Sequence, residues 1–165
     1  MNKTSLATIA LVLAAPITLV GCSGGASTEM ISLTLQSNFD DRQVMDTGRE
    51  GSTLGDYVNG NGDLLDESGQ VIGQFDTTSH TTGVTETSET RMVIAEYQFG
   101  DGADSFLTQG AEQFETDGGL QASDRPLAYA VIGGTGKYMG ANGECLVHRR
   151  EAAFSIECTF LVVKQ

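Results

Sequence analysis

The sequence predicts an all-β protein whose single folded domain is built from seven or eight antiparallel strands. Apolar and polar residues alternate with period two in several short runs, the signature of half-buried strands. Clusters of Gly, Asp, Asn and Ser punctuate the runs as hairpin turns do, and no stretch after the leader has the spacing of an amphipathic helix. The 165 residues suffice for one domain with a proper core and are too few for two comfortable ones.

The leader comes first. Lys3 gives a positive n-region, and Leu6 to Val20 gives an apolar stretch at the upper end of a signal-peptide h-region, short for a membrane-spanning helix and interrupted by Pro16. It ends in Leu19-Val20-Gly21-Cys22, which resembles the bacterial lipobox, in which the cysteine is lipidated and becomes the first mature residue. An uncleaved anchor and ordinary secretion are the competing readings. The expected organisation is a lipoprotein signal peptide over 1–21, a flexible tether over 22–29 and one domain over 30–165. The protein is expected outside the cytoplasm, lipid-anchored to a bacterial membrane through Cys22. Ser23 follows the cysteine, so the aspartate of an inner-membrane retention signal is absent.

In the domain, "MISLTLQSN" sets Ile31, Leu33 and Leu35 against Ser32, Thr34 and Gln36, a half-buried strand. Residues 39–54 are polar and irregular and read as a long loop. Residues 55–84 read as a hairpin turning at Asp66-Glu67-Ser68-Gly69, and residues 89–116 as a second turning near Phe99-Gly100-Asp101-Gly102. In "RMVIAEYQF", Arg91, Val93, Ala95, Tyr97 and Phe99 share one face, and Met92, Ile94, Glu96 and Gln98 the other. "LAYAVI" puts Leu127, Tyr129 and Val131 together.

The segment "IGGTGKYMGANGEC", Ile132 to Cys145, carries five glycines and invites a phosphate-loop reading. A dinucleotide fingerprint needs a third glycine where Met139 stands, and a Walker loop needs Ser or Thr where Tyr138 follows Lys137. The glycines therefore read as bends between strands. Residues 143–163 form a hairpin around Arg150 to Ala152. If Glu151 and Ala152 are its loop, Cys145 falls directly opposite Cys158 in a pair whose side chains come close, and an exported protein would join them as a disulfide. A metal pair or a catalytic thiol would need further ligands or a partnered base at suitable spacing, which the sequence does not supply. Val147, Ile156, Cys158, Phe160 and Val162 are assigned to the interior.

Charge excludes one class of partner. Nine basic residues against 22 acidic ones give a net charge of -13, which would repel a nucleic-acid backbone. "NGNGDLLDESGQ" starts like a calcium loop at Asn59, Asn61 and Asp63, but its sixth position is Leu64 and its twelfth Gln70. Asp40, Asp41, Asp101 and Asp104 read as turn and surface carboxylates. His80 and His148 stand apart, with no serine or cysteine motif beside either. No cofactor is expected.

"RPLAYAVIGGTGKYMGANGE", preceded by the "GDYVNGNGDLLDESGQVIGQFD" and "YQFGDGADSFLTQG" hairpins, resembles the allene oxide cyclase and dirigent-like barrels, including their bacterial members. The likeness runs in order from about Ile31 to Val163, and its Gly-Gly-Thr-Gly-x-Tyr-x-Gly-Ala core marks a fold, not a catalytic motif. It implies an eight-stranded antiparallel β-barrel, allene oxide cyclase-like, in agreement with the strand count. Such a barrel is filled by side chains or holds one small ligand. Relatives cyclise an unstable epoxide, steer radical coupling, or guide a [4+2] cycloaddition of a polyketide as spirotetronate-type cyclases do. The common device holds a reactive substrate in one productive shape, and this can remove roughly 7–11 kcal/mol of barrier without nucleophile or metal.

The resemblance thus implies a cofactor-independent cyclase or isomerase folding a hydrophobic, polyketide-like precursor in the barrel. The alternatives are a non-catalytic lipoprotein carrying a small apolar ligand, and a module whose barrel is filled. Relatives form dimers or trimers, which leaves room for a homo-oligomer. Tyr57, Tyr97 and Tyr129 are the candidate polar groups in an apolar pocket, since a buried phenol donates one hydrogen bond. The competing reading of each is a core tyrosine bonded to backbone. Glu96 and His80 are the further acid-base candidates.

Overall fold

The computed structural model describes residues 27–115, 125–150 and 153–164. The leader, Cys22 and the Glu151-Ala152 loop lie outside the described residues. The elements are β1 (Thr28–Asn38), β2 (Asp41–Met45), β3 (Tyr57–Leu65), β4 (Val71–Val84), β5 (Ser88–Phe99), β6 (Asp104–Glu115), β7 (Leu127–Thr135), a one-turn 3-10 segment (Gly136–Tyr138), β8 (Asn142–Arg150) and β9 (Ala153–Val163). Thr28 and Glu29, expected in the tether, already pair with β9.

The strands form one antiparallel sheet in the order β1-β9-β8-β7-β6-β5-β4-β3-β2. It closes on itself where Gln36 and Ser37 of β1 pair with Leu65 and Leu64 of β3. Eight strands make the barrel, and β2 is the ninth. After Asn38 the chain steps across and runs on along the same edge of β3, Asp41 opposite Asn61 through Met45 opposite Tyr57. The long loop expected over 39–54 is thus corrected: its first part is a strand. β2 escaped the alternation test because all five of its residues are exposed; backbone pairing to β3, not burial, fixes it.

The step from β1 to β2 explains the glycines of β3. A Cβ at Gly62 would lie 1.8 Å from the Asn38 carbonyl oxygen, and one at Gly60 would lie 2.4 Å from Phe39 Cε1. The "NGNGD" run is therefore where a crossing chain and an aromatic ring approach the backbone. The turn at 66–69 forms as read: Asp66 Oδ1 accepts from the Ser68 and Gln70 amides, and Gly69 takes φ +82°. The motif glycines serve the same end: a Cβ at Gly136 would lie 2.1 Å from Asp104 Oδ1, and one at Gly134 2.5 Å from the Tyr138 carbonyl oxygen.

Alternation sends one face of each barrel strand inward, and the two ends of the interior differ. Where β5 ends and β6 begins, Tyr97 stacks on Phe106 at 4.7 Å between ring centroids, and Phe106 meets Tyr138 and Phe160 at 5.4 and 4.9 Å. This aromatic plug, backed by the 3-10 turn, seals that end. On the neighbouring wall Cys145 and Cys158 lie opposite one another, Cα atoms 4.0 Å apart, joined as the predicted disulfide. The other end, where β5 begins and β6 and β8 finish, carries charge inside the barrel.

Candidate functional site

Between the aromatic plug and the charged end lies an interior cavity of about 60 Å3. Phe39, Phe75, Val93, Tyr97, Tyr129, Phe154 and Ile156 wall its apolar part, and Arg42, Arg91 and Glu112 bring polar groups to it. Phe39 contacts Phe154 edge-on at 5.0 Å and Phe75 at 5.9 Å, so the residue that carries the chain from β1 to β2 also covers the cavity.

The charged end is organised in pairs. Arg149 Nη1 donates to Glu112 Oε2 at 3.1 Å. Arg91 pairs with Glu89, whose other oxygen accepts from the Thr81 hydroxyl at 3.3 Å. Both guanidinium carbons lie 4.8 Å from the centroid of the Phe114 ring, so cation–π attraction adds to the ion pairs. Burial pushes the Glu112 carboxyl above the usual carboxylate range, and the charges of Arg149 and Arg91 pull it partly back. A carboxyl so placed keeps its proton to higher pH than a surface glutamate does. Burial also raises the Tyr97 phenol, with the Thr108 hydroxyl opposing, so Tyr97 is a neutral hydrogen-bond donor at any physiological pH.

Of the residues singled out from sequence, Tyr97 and Tyr129 line the cavity, 1% and 4% exposed. The Tyr129 ring lies where a Cβ on Gly110 would be, 2.4 Å from its Cδ1. The other three point outward. Tyr57 is 42% exposed and sits opposite His80 on the outer face, ring centroids 5.9 Å apart. Glu96 borders a shallow external groove between β2 and β6, with Asp41, Asn59 and Asp76. His148 lies 3.8 Å from Glu157, also outside the cavity.

Sequence reading passed over Glu112, Arg149, Glu89 and Arg42. Arg91 was placed on the face of Tyr97, but its charge was not pursued. The usable signal was parity: the alternation that turns Tyr97 inward turns Glu89 and Arg91 inward too, and that of the last hairpin turns Arg149 inward with Val147.

The closed antiparallel barrel is a fold shared with solved dirigent-protein and cyclase structures. A pyocyanin demethylase superposes with a TM-score of 0.62 at 21% identity, over 78% of this chain and 99% of that one. A pterocarpan synthase dirigent protein gives 0.60 at 12% identity, over 93% and 98%. A cyclase described as nonspecific and heme-binding, which catalyses a [4+2] cycloaddition in neoabyssomicin biosynthesis, gives 0.60 at 13% identity, over 86% and 70%. At these identities the shared property is the barrel. No protein-family model matches the chain, and no curated protein matches it significantly.

Proposed function

We propose that the protein is a cofactor-independent cyclase or isomerase that folds a hydrophobic, polyketide-like precursor in the barrel for ring closure. The observation that carries this reading is the convergence of Tyr97 and Glu112 on one interior cavity whose wall is largely apolar. An apolar wall holds the substrate, the neutral Tyr97 phenol donates to a carbonyl that gains electron density, and Glu112 stands by as a proton carrier. In a [4+2] closure three π bonds become one π and two σ bonds, so no external proton, electron or co-reactant is needed. Confinement of the two reacting ends supplies the main effect. The solved barrels of similar fold are described with demethylating, pterocarpan-forming and cycloaddition chemistry, which supports small-molecule chemistry in the interior.

The size of the cavity favours a second reading. About 60 Å3 is well below the roughly 300 Å3 at which drug-sized pockets begin, so a polyketide-like molecule needs Phe39 and Arg42 to move aside. A barrel that never opens is the filled module. We place the protein on a membrane through a lipidated Cys22, where apolar precursors partition; processing of the leader is checked by mass spectrometry of the purified lipoprotein.

The functional test incubates disulfide-intact protein with a lipid and metabolite extract of its source organism, followed by mass spectrometry. A product of unchanged mass and altered retention supports the cyclase. A ligand retained unchanged makes the protein a carrier, and neither result makes it the filled module.

A further inference from the structure

Among the described residues the charged end does not balance. Arg149 is committed to Glu112 and Arg91 to Glu89, while Arg42, reaching the rim from β2, makes no salt bridge among the described residues. Among the described residues, three guanidiniums thus face two carboxylates at the entrance of a protein whose net charge is -13. Like charges gathered at one site of an acidic protein are an electrostatic cost unless something neutralises them.

Arg42 and Arg91 both line the cavity. Arg42 is exposed overall and partly enclosed where it lines the cavity; that enclosure lowers its pKa, the charge of Arg91 lowers it further, and Glu89 opposes. The Arg91 Nε is a buried donor with no partner among the described residues. Each of these features is relieved by an anion between the two guanidiniums, which offer planar forks of N–H donors suited to a carboxylate. Behind them the wall is apolar, with Val58, Val93 and Phe75. Glu112 borders the same space, so a second negative charge on the ligand would lie against a carboxyl; this selects a monoanion over a phosphate dianion.

We propose that Arg42 and Arg91 form an oxyanion subsite at the entrance of the barrel, which takes the carboxylate, or a comparably acidic enol, of an otherwise apolar ligand. The proposal rests on the reading that the cavity binds small molecules and names the class of ligand it selects. The acid end is held at the rim and the apolar body runs inward toward Tyr97.

The test uses calorimetric titration of full-length, disulfide-intact protein with two probes of one shape, benzoate and methyl benzoate. Benzoate is expected to bind roughly tenfold or more tightly than the ester, the effect of a charge-assisted hydrogen bond. Arg42→Gln should remove that preference through weaker benzoate binding, with the ester titrated into the same variant as the uncharged reference. β2 is exposed and Arg42 has no salt bridge to lose among the described residues, so the variant should melt with the wild type. Equal binding of acid and ester overturns the subsite while leaving a binding cavity in place. A preference that survives Arg42→Gln also overturns it. Binding of neither probe overturns both the subsite and the cavity reading.

Discussion

Arg149 reaches across the interior from β8 to Glu112 on β6, 3.1 Å between Nη1 and Oε2, with the two side chains only 7% and 6% exposed. A pair so buried is held by mutual need: each charge stays inside because the other is there. Removing one partner strands the other, and Glu112→Ala should cost about 3–5 kcal/mol in urea unfolding. Replacing both by apolar residues of similar size, Glu112→Leu with Arg149→Met, should recover most of that loss. If the double variant were no better than the single one, the pair would not be the source of the cost.

The same carboxyl sets a pH dependence. Its folded pKa lies above the ordinary 4.5, so the native state keeps a proton that the unfolded chain has released. The stability this adds is complete below the unfolded value and is lost as pH rises through the folded one. The stability of wild type relative to Glu112→Gln should therefore fall from acidic toward neutral pH, as read by urea midpoints across that range.

Asp56 behaves in the opposite sense. Its Oδ1 accepts from the Thr47 amide at 3.0 Å and its Oδ2 from the Thr53 amide at 2.7 Å, with both threonine hydroxyls adding to Oδ1. These bonds hold the carboxyl below its usual range, so their contribution is present above the unfolded pKa and is lost as pH falls through the folded one. Asp56→Ala should speed hydrogen exchange at the Thr47 and Thr53 amides by about tenfold, with the β5–β6 amides unchanged.

The disulfide closes a loop with a sequence separation of 13. Reduction, or Cys145→Ala with Cys158→Ala, should lower unfolding free energy by roughly 3 kcal/mol without altering the strand register. A matching change in denaturant midpoint at unchanged slope would verify it.

Gly60 and Gly62 make a paired test of the chain crossing. Gly62→Ala drives a methyl into the Asn38 carbonyl, which cannot yield without breaking the β1–β3 closure, and the variant should fail to fold or melt far below wild type. Gly60→Ala meets only the Phe39 ring, which can swing away, at a cost of about 1–3 kcal/mol. Similar melting of the two would contradict this account of the glycines.

Much of the fold was legible because one face of each barrel strand is buried. Period-two alternation located β1, β5 and β7, and turn chemistry at Asp66–Gly69 and Phe99–Gly102 fixed two hairpins. Counting outward from the last turn paired Cys145 with Cys158. β2 was not legible, because an exposed strand held by backbone bonds leaves no pattern in side chains. Nor was the outward aim of Tyr57 and His80: their strands show mixed polarity on both faces, and only the β3–β4 register sets them opposite each other outside the barrel. The charged entrance was missed for a different reason. Glu89, Arg91, Glu112 and Arg149 stand near strand ends, where charge ordinarily meets solvent, and only the closed barrel brings them together inside.

The central claim is that chemistry takes place within the barrel, and the inward Tyr97 and outward Tyr57 provide its most direct test. Once a converted substrate has been found in extract, its rate of isomerisation is measured with Tyr97→Phe and Tyr57→Phe side by side. Tyr97→Phe should slow conversion by about 100-fold, the loss of one transition-state donor, while Tyr57→Phe keeps the wild-type rate. Equal rates in the two variants, or a loss confined to Tyr57→Phe, would contradict an interior site.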